Sequence, residues 1–159
     1  MTLDDLNGLE FAKARGELLK CCGSHTWAEG MAARRPFESV PAMIATGREM
    51  WRSLAESDWL EAFAAHPRIG AQGKGWSAEE QRGMQAANND TVSEMGRLND
   101  AYYGKFGWIF IICATGRTAE EMRGALEQRL ANKAETELRI AAAEQEKITE
   151  LRIQKLLSQ

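Results

Sequence analysis

Apolar residues recur at helical spacing along most of this chain, and the alternation of β-branched residues that is typical of strands is almost absent. Between residues 39 and 55, Met43, Ile44, Met50, Trp51 and Leu54 fall on one broad face of a helix. The same spacing predicts a helix that opens at Ser77 and further helices over Leu9–Cys22, Trp27–Ala33, Asp58–His66, Thr91–Tyr103 and Thr118–Ala131.

A last helix of roughly 20 or more residues is predicted after Asn132. It places Leu138, Ala141, Ile148 and Leu151 on a shared apolar stripe. With no internal repeat and no second domain in the pattern, we predict an all-α protein. Residues 1–159 are expected to form one compact helical bundle with a long C-terminal helix.

The segment Trp108–Ala114 is the one stretch in which a strand could form, because it is short, apolar and rich in β-branched residues. No second strand is predicted to pair with it, so we expect a buried extended or helical segment. In an irregular segment, backbone groups that no helix uses could bind polar atoms of a ligand.

Composition narrows the possible functions. Apolar residues make up 44% and charged residues 27% of the chain, as in ordinary globular proteins. A net charge of -3 gives no electrostatic reason to expect a nucleic-acid partner. No run approaches the ~18 apolar residues of a membrane span, and the acidic N-terminus is unlike a signal peptide. The sequence therefore predicts a soluble, cytoplasmic protein without a membrane partner.

The three cysteines, Cys21, Cys22 and Cys113, show no Cys-x-x-Cys or Cys/His spacing that would hold zinc. We expect them to be reduced, mostly buried residues. His25 lies close to the first two, but the further ligands that a metal site requires are not found at defined spacing. No metal or cofactor is predicted.

His66 is the first candidate for chemistry, since Pro67 follows it. Proline disfavours the α conformation in the preceding residue, so His66 is expected at the end of its helix, with the ring able to face a cavity. An imidazole titrates near neutral pH and can act as acid or base. The alternative is a polar helix terminus that interacts with the helix dipole.

Two features follow His66. The segment Gly70–Gly75 holds three glycines in six positions and is expected to be a mobile surface loop, but it lacks the spacing of a phosphate-binding loop. Glu80 stands three residues after Ser77, which is the spacing of a helix capping box. The other interpretation is that Glu80 accepts a hydrogen bond from an imidazole or a substrate.

Arg152 is expected at the edge of the apolar stripe of the last helix. A guanidinium that is removed from water needs an anionic or hydrogen-bonding partner, which could be a protein carboxylate or a ligand. The alternative is a side chain that extends along the apolar surface and keeps its charge in water.

Five pieces occur in the order that is typical of one known family. They are His66-Pro67-Arg68-Ile69-Gly70, Ser77-x-x-Glu80-Gln81, the stretch from Leu98-Asn99 to Phe110-Ile111, Arg129-Leu130-x-Asn132 with Glu137, and Leu151-Arg152. In this series the chain resembles the 2-oxo-4-hydroxy-4-carboxy-5-ureidoimidazoline (OHCU) decarboxylases. That family completes the conversion of urate to allantoin.

The resemblance implies roles for individual residues. His66 matches the catalytic histidine of the family and Glu80 its essential carboxylate, with His66 oriented by Glu80. The side chains expected to contact substrate are Ser77, Gln81 and Arg152. Pro67 and the backbone around Phe110 and Ile111 are expected to line the same pocket. The imidazole, the carboxylate and the guanidinium would then converge on one largely dry cavity.

The resemblance also implies an all-helical homodimer that needs no metal or organic cofactor and converts a small ureidoimidazoline to (S)-allantoin. Two other functions stay open on the sequence. One is a non-enzymatic interaction module that binds a partner through the last helix, and the other is a decarboxylase or hydrolase of a related ureide.

Overall fold

The computed structural model describes residues 1–71 and 75–158. Within those ranges every regular element is helical, which confirms the predicted all-α class. The elements are α1 (Leu3–Gly8), α2 (Phe11–Cys21), α3 (His25–Ala33), α4 (Val40–Ser53), α5 (Glu56–Ala64), α6 (Trp76–Glu80), a 3₁₀ turn (Arg82–Ala86), α7 (Asn89–Phe106), α8 (Ala119–Leu130) and α9 (Ala134–Leu156). Residues 72–74 of the predicted Gly70–Gly75 loop lie outside the described residues.

The chain divides into two compact units. The first unit comprises Met1–Ala62 and the chain from Glu146 onward, and the second comprises Phe63–Gln145. Helix α9, the predicted long C-terminal helix, begins in the second unit and ends in the first.

Short polar side chains set the helix starts of the first unit. Thr2 accepts from the backbone N–H of Asp5 at 3.1 Å, and the Asp5 carboxylate accepts in return from the N–H of Thr2, which is a capping box. Ser24 and Ser39 cap α3 and α4 in the simpler way. The core between these helices includes Trp27, whose indole N–H donates to the carbonyl of Gly47 at 3.0 Å.

The core of the second unit gathers apolar residues from α7, α8 and the segment between them. The Tyr102 ring packs against those of Phe106 and Phe110, with ring-centroid distances of 4.6 and 5.4 Å. The predicted capping box at Thr118 and Glu121 is confirmed as the start of α8. Phe110, Ile111 and Ile112 are buried, as predicted, and they belong to neither helix nor strand, so the helical alternative for this segment is wrong.

Two details of the predicted pattern are wrong. Helix α6 begins at Trp76 after Gly75, so Ser77 lies inside the helix and is not the N-cap residue that the predicted capping box with Glu80 requires. Gly75 has a positive φ of 58°, and this turn moves the helix start one residue back. Leu151 is 41% exposed, so it leaves the predicted stripe, whose other three members are buried.

Gly83 is fixed by a close approach of two backbones. A Cβ at this position would lie 2.0 Å from the carbonyl oxygen of Arg117, at the entrance to α8. Because a backbone atom cannot move aside as a flexible side chain can, we expect Gly83→Ala to lower the free energy of unfolding by ~1–3 kcal/mol. Urea denaturation would measure the change.

Gly96 provides the matched control, since a Cβ there meets nothing within 4 Å on helix α7. The same substitution, Gly96→Ala, should stabilise the protein by up to about 1 kcal/mol through the loss of backbone freedom in the unfolded chain. Equal effects of the two substitutions would contradict the close approach at Gly83.

Candidate active site

His66 lies two residues beyond the end of α5, as the following proline predicts. Its backbone N–H donates to the carbonyl of Phe63 at 3.1 Å, which closes the last turn. The side chain is half-buried. The imidazole is therefore held at a helix end with limited access to water, which is a suitable environment for an acid or base.

The imidazole of His66 contacts Gln145 on α9. His66 Nε2 lies 2.6 Å from Gln145 Oε1, and the Gln145 side chain is fully buried. Sequence reasoning assigned the orientation of His66 to Glu80 and did not consider Gln145. The available signal was helical spacing, since Gln145 falls on the same face of α9 as the buried residues Ala141 and Ile148.

Side-chain hydrogen bonds hold the backbone at the three residues that follow Pro67. The Gln81 side chain accepts from the N–H of Gly70 at 2.9 Å and donates to the carbonyl of Arg68 at 3.4 Å. The buried Asn99 side chain donates to the carbonyl of Ile69 at 3.0 Å. These bonds fix the backbone next to the imidazole.

Gly70 itself has a positive φ of 90°, which a glycine adopts without strain. On the outer side of the same stretch, the Arg68 guanidinium pairs with Asp100 and lies over the Tyr103 ring. Gln81, predicted to contact substrate, thus has a structural role in closing the segment 68–70. Ser77 and Glu80 are half-buried residues of α6.

The Phe110-Ile111 backbone, predicted to line the pocket, is held by Arg129 of α8. Arg129 Nη1 donates to the carbonyl of Ile111 at 2.7 Å, and the guanidinium lies 4.4 Å above the Phe110 ring. One charged side chain therefore fixes both residues of the segment. The carbonyl of Ile111 therefore accepts a hydrogen bond from within the protein.

A buried polar network surrounds Arg129. The Glu137 carboxylate is fully buried and accepts from Arg129 Nε at 2.6 Å and from Asn132 Nδ2 at 3.0 Å. Arg129 Nη2 lies equally close to Glu137 Oε1, but off the direction of a hydrogen bond. The buried charge is thus paired and hydrogen-bonded.

Tyr102 extends the network. Its hydroxyl donates to Glu137 at 2.7 Å and accepts from the indole N–H of Trp108 at 3.1 Å. Burial, followed by the hydrogen bond to Glu137, raises the pKa of Tyr102 well above 10, so the phenol keeps its proton and stays a donor at neutral pH. The sequence placed Arg129, Asn132 and Glu137 in the family pattern but gave them no role.

Glu144 forms a second contact between α9 and the irregular segment that links α7 to α8. Its carboxylate accepts from the N–H of Cys113 at 3.2 Å. The carbonyl of Cys113 accepts from Arg117 Nε at 3.1 Å. Glu137, Glu144 and Gln145 therefore give α9 a buried polar face within the second unit. The sequence analysis gives Glu137 no role and does not consider Glu144 or Gln145.

Arg152 belongs to the first unit, where it is half-buried. Its Nη1 donates to the carbonyl of Lys20, in the last turn of α2, at 3.3 Å. The other seven predicted site residues lie in the second unit. That all of them share one cavity stays a prediction.

Burial keeps the thiols of Cys21 and Cys22, near Arg152, protonated at neutral pH. Burial raises the pKa of Cys21 to about 12 and that of Cys22 to about 11, although the Arg152 charge opposes both shifts. None of the three cysteines forms a disulfide, and all three are buried, as predicted. His25, on the surface, pairs with Glu61 at 3.1 Å.

Neither a cluster of metal-binding side chains nor a membrane-spanning helix occurs among the described residues. Residues 1–71 and 75–158 bring together no group of three or more histidine, cysteine, aspartate or glutamate side chains that could hold a metal ion. None of the helices found there is both long and apolar enough to cross a membrane.

These features define an all-helical protein with a half-buried histidine at a helix end, whose surroundings are fixed by buried polar side chains. The family model described as OHCU decarboxylase matches residues 7–154. The chain belongs to the OHCU decarboxylase family.

Individual relatives agree with this placement. A crystal structure of OHCU decarboxylase in the presence of (S)-allantoin is 42% identical, with a TM-score of 0.83 over 90% of this chain and 98% of that one. The OHCU decarboxylase of Haloferax volcanii is 28% identical over 96% of this chain and 94% of its own length.

Longer relatives also match. The uric acid degradation bifunctional protein TTL of Arabidopsis thaliana is 42% identical over 87% of this chain, and the bifunctional protein PucL of Bacillus subtilis is 29% identical over 99%. The chain spans only 45% and 33% of the lengths of these two proteins.

Proposed function

We propose that this protein is a carboxy-lyase that decarboxylates OHCU to (S)-allantoin in urate degradation. The observation that carries the proposal is the likeness to the OHCU decarboxylase crystallised with (S)-allantoin, which extends over nearly all of both chains. The site chemistry is compatible, since an imidazole held at a helix end can move a proton at the reacting carbon.

The reaction breaks the bond between the ring carbon and the carboxylate, which leaves as carbon dioxide. The electron pair of that bond enters the imidazoline ring and its carbonyl, and a proton is added to the ring. We propose that His66, with Glu80, transfers a proton at the reacting centre. It either removes a proton from the hydroxyl or delivers one to the ring carbon. Delivery from one face yields one enantiomer.

The remaining predicted residues are proposed to bind the substrate. Arg152 would hold a negatively charged or carbonyl end, and Ser77 and Gln81 would contact the ureido group and ring, together with Pro67 and the backbone of Phe110 and Ile111. For Gln81, the bonds to Arg68 and Gly70 place its amide beside the residues that follow His66. Donors held where charge develops stabilise the transition state.

The activity is tested with freshly prepared OHCU, because the compound is unstable. We expect the protein to accelerate loss of OHCU above the buffer rate and to produce optically active allantoin, followed by circular dichroism. Arg152→Ala should raise KM, and a fall in kcat as well would assign Arg152 to the transition state. Racemic product formed at the buffer rate would exclude the proposal, and parallel assays of related ureides would reveal a different substrate.

We also propose a cytoplasmic homodimer, on the basis of the family resemblance. Three buried cysteines that form no disulfide are compatible with a reducing compartment. Sedimentation equilibrium of the purified chain measures the oligomeric state, and a monomer at micromolar concentration would contradict the proposal.

A further inference from the structure

The contact between His66 and Gln145 has consequences for the proton on the imidazole. A neutral imidazole carries one proton, on either Nδ1 or Nε2, and the other nitrogen is then an acceptor. The oxygen of a side-chain amide can only accept a hydrogen bond. Gln145 Oε1 lies 2.6 Å from His66 Nε2, and a neutral ring that hydrogen-bonds to this oxygen must carry its hydrogen on Nε2.

Gln145 is well placed to hold this arrangement. Its side chain is fully buried, and it lies in the middle of the 23-residue helix α9. A buried amide that loses its hydrogen bond is left without water to replace the partner, so the contact resists alternative positions of the ring. An amide also adds no charge, whereas a carboxylate in the same place would favour the imidazolium over the neutral base.

We infer that Gln145 is a positioning residue that fixes the neutral imidazole of His66 as the Nε2–H tautomer, so that Nδ1 is the nitrogen that exchanges a proton with the substrate. The second half of this inference rests on the proposed decarboxylase function. The first half concerns the ring alone and needs no substrate.

The tautomer is measured directly by nuclear magnetic resonance of the ¹⁵N-labelled protein. A long-range ¹H–¹⁵N spectrum distinguishes a protonated from an unprotonated ring nitrogen when the histidines are neutral. The chain has only two histidines, so His25→Asn assigns the remaining signals to His66. We expect the protonated-type signal at Nε2 of His66, and a protonated Nδ1 would overturn the inference.

Kinetics test the positioning role. Gln145→Met keeps the length of the side chain but removes the acceptor, so we expect a mixture of tautomers. We expect kcat to fall by ~10–100-fold with little change in KM, as for other partners that orient a functional histidine. Gln145→Glu keeps an acceptor oxygen and should retain the Nε2–H tautomer. It should also recover part of kcat at a pH where the ring is neutral.

Ile153→Val is the control for a general loss of stability, since Ile153 is a buried apolar residue of the same helix. It should lower the unfolding midpoint without changing the spectrum of His66 or kcat. A Gln145→Met protein with the wild-type tautomer and wild-type kcat would refute the positioning role. If Gln145→Met does not fold, the spectrum of the unmodified protein still decides the tautomer.

Failure of the proposed function can be recognised separately. A wild-type protein that does not turn over OHCU contradicts the decarboxylase proposal, while its ring spectrum still reports the tautomer. Turnover of OHCU together with a protonated Nδ1 supports the enzyme and overturns the inference about Gln145.

Discussion

Glu137→Leu is expected to lower the free energy of unfolding by ~3–5 kcal/mol, the usual cost of removing one partner from a buried ion pair. The substitution would leave the Arg129 guanidinium without its carboxylate in a site where the side chain is 9% exposed. It would also remove the acceptor of Tyr102 and Asn132. Urea denaturation of the wild-type and variant proteins measures the difference.

Glu135→Gln is the matched control for this experiment. Glu135 lies two residues earlier on α9 and forms an ion pair with Arg139, but both side chains are more than three-quarters exposed. Exposed pairs contribute ~0–1 kcal/mol, so this variant should unfold close to the wild-type midpoint. Similar midpoints for the Glu135 and Glu137 variants would contradict the assigned importance of the buried network.

The double variant Arg129→Leu with Glu137→Leu distinguishes the effect of an unpaired buried charge from the effect of changed side-chain volume. Replacing both charges removes the unpaired guanidinium, so the double variant should be more stable than Glu137→Leu alone. It should nevertheless release the carbonyl of Ile111, which Arg129 binds at 2.7 Å. Recovery of stability without recovery of activity would show that the pair positions the Phe110-Ile111 backbone.

The helices could be predicted from sequence because their signals are local. Apolar spacing defines α4, the capping box at Thr118 defines the start of α8, and the proline after His66 defines the end of α5. Each of these signals depends on residues within one or two turns of each other. The two wrong details are also local. At Ser77 the positive φ of Gly75 sets an earlier helix start, and at Leu151 the side chain is exposed on α9.

The polar interior could not be predicted in the same way. Gln145 contacts His66 across 79 residues of sequence, and Glu137 contacts Tyr102 across 35. A hydrophobic pattern assigns glutamate and glutamine to the solvent side, because their burial is favourable only when distant partners satisfy them. The face of α9 that holds Glu137, Glu144 and Gln145 was therefore overlooked, although its helical spacing is present in the sequence.

The candidate site could be predicted only in part, in contrast to the helices and to the polar interior. His66, Glu80 and Arg152 are candidates from local features, namely the following proline, the spacing from Ser77 and the edge of the apolar stripe. Their roles, and Ser77 and Gln81 as substrate contacts, come from the family resemblance. Gln81 illustrates the difference, since its spacing gave no indication that its amide would bond to Arg68 and Gly70. Residues that act through others, such as Gln145 and Arg129, required coordinates.

His66→Ala is expected to reduce kcat for OHCU by ~100-fold or more, as is usual when a positioned acid or base is lost. The fold should survive, because the hydrogen bond that closes the end of α5 uses the backbone N–H of residue 66 and is kept in alanine. Initial rates with freshly made OHCU, corrected for its spontaneous decay, measure the loss. Circular dichroism and the urea midpoint report the integrity of the variant.

His25→Ala is the control that separates a catalytic histidine from a general need for imidazole. His25 is the only other histidine of the chain, and its ring pairs with Glu61 on the surface of the first unit. Its loss should leave kcat within twofold or so of the wild-type value, since exposed pairs of this kind contribute little to the fold. A folded His66→Ala protein that turns over OHCU as fast as His25→Ala would remove His66 from the chemistry. The acid or base would then have to be sought among the other predicted residues, beginning with Glu80.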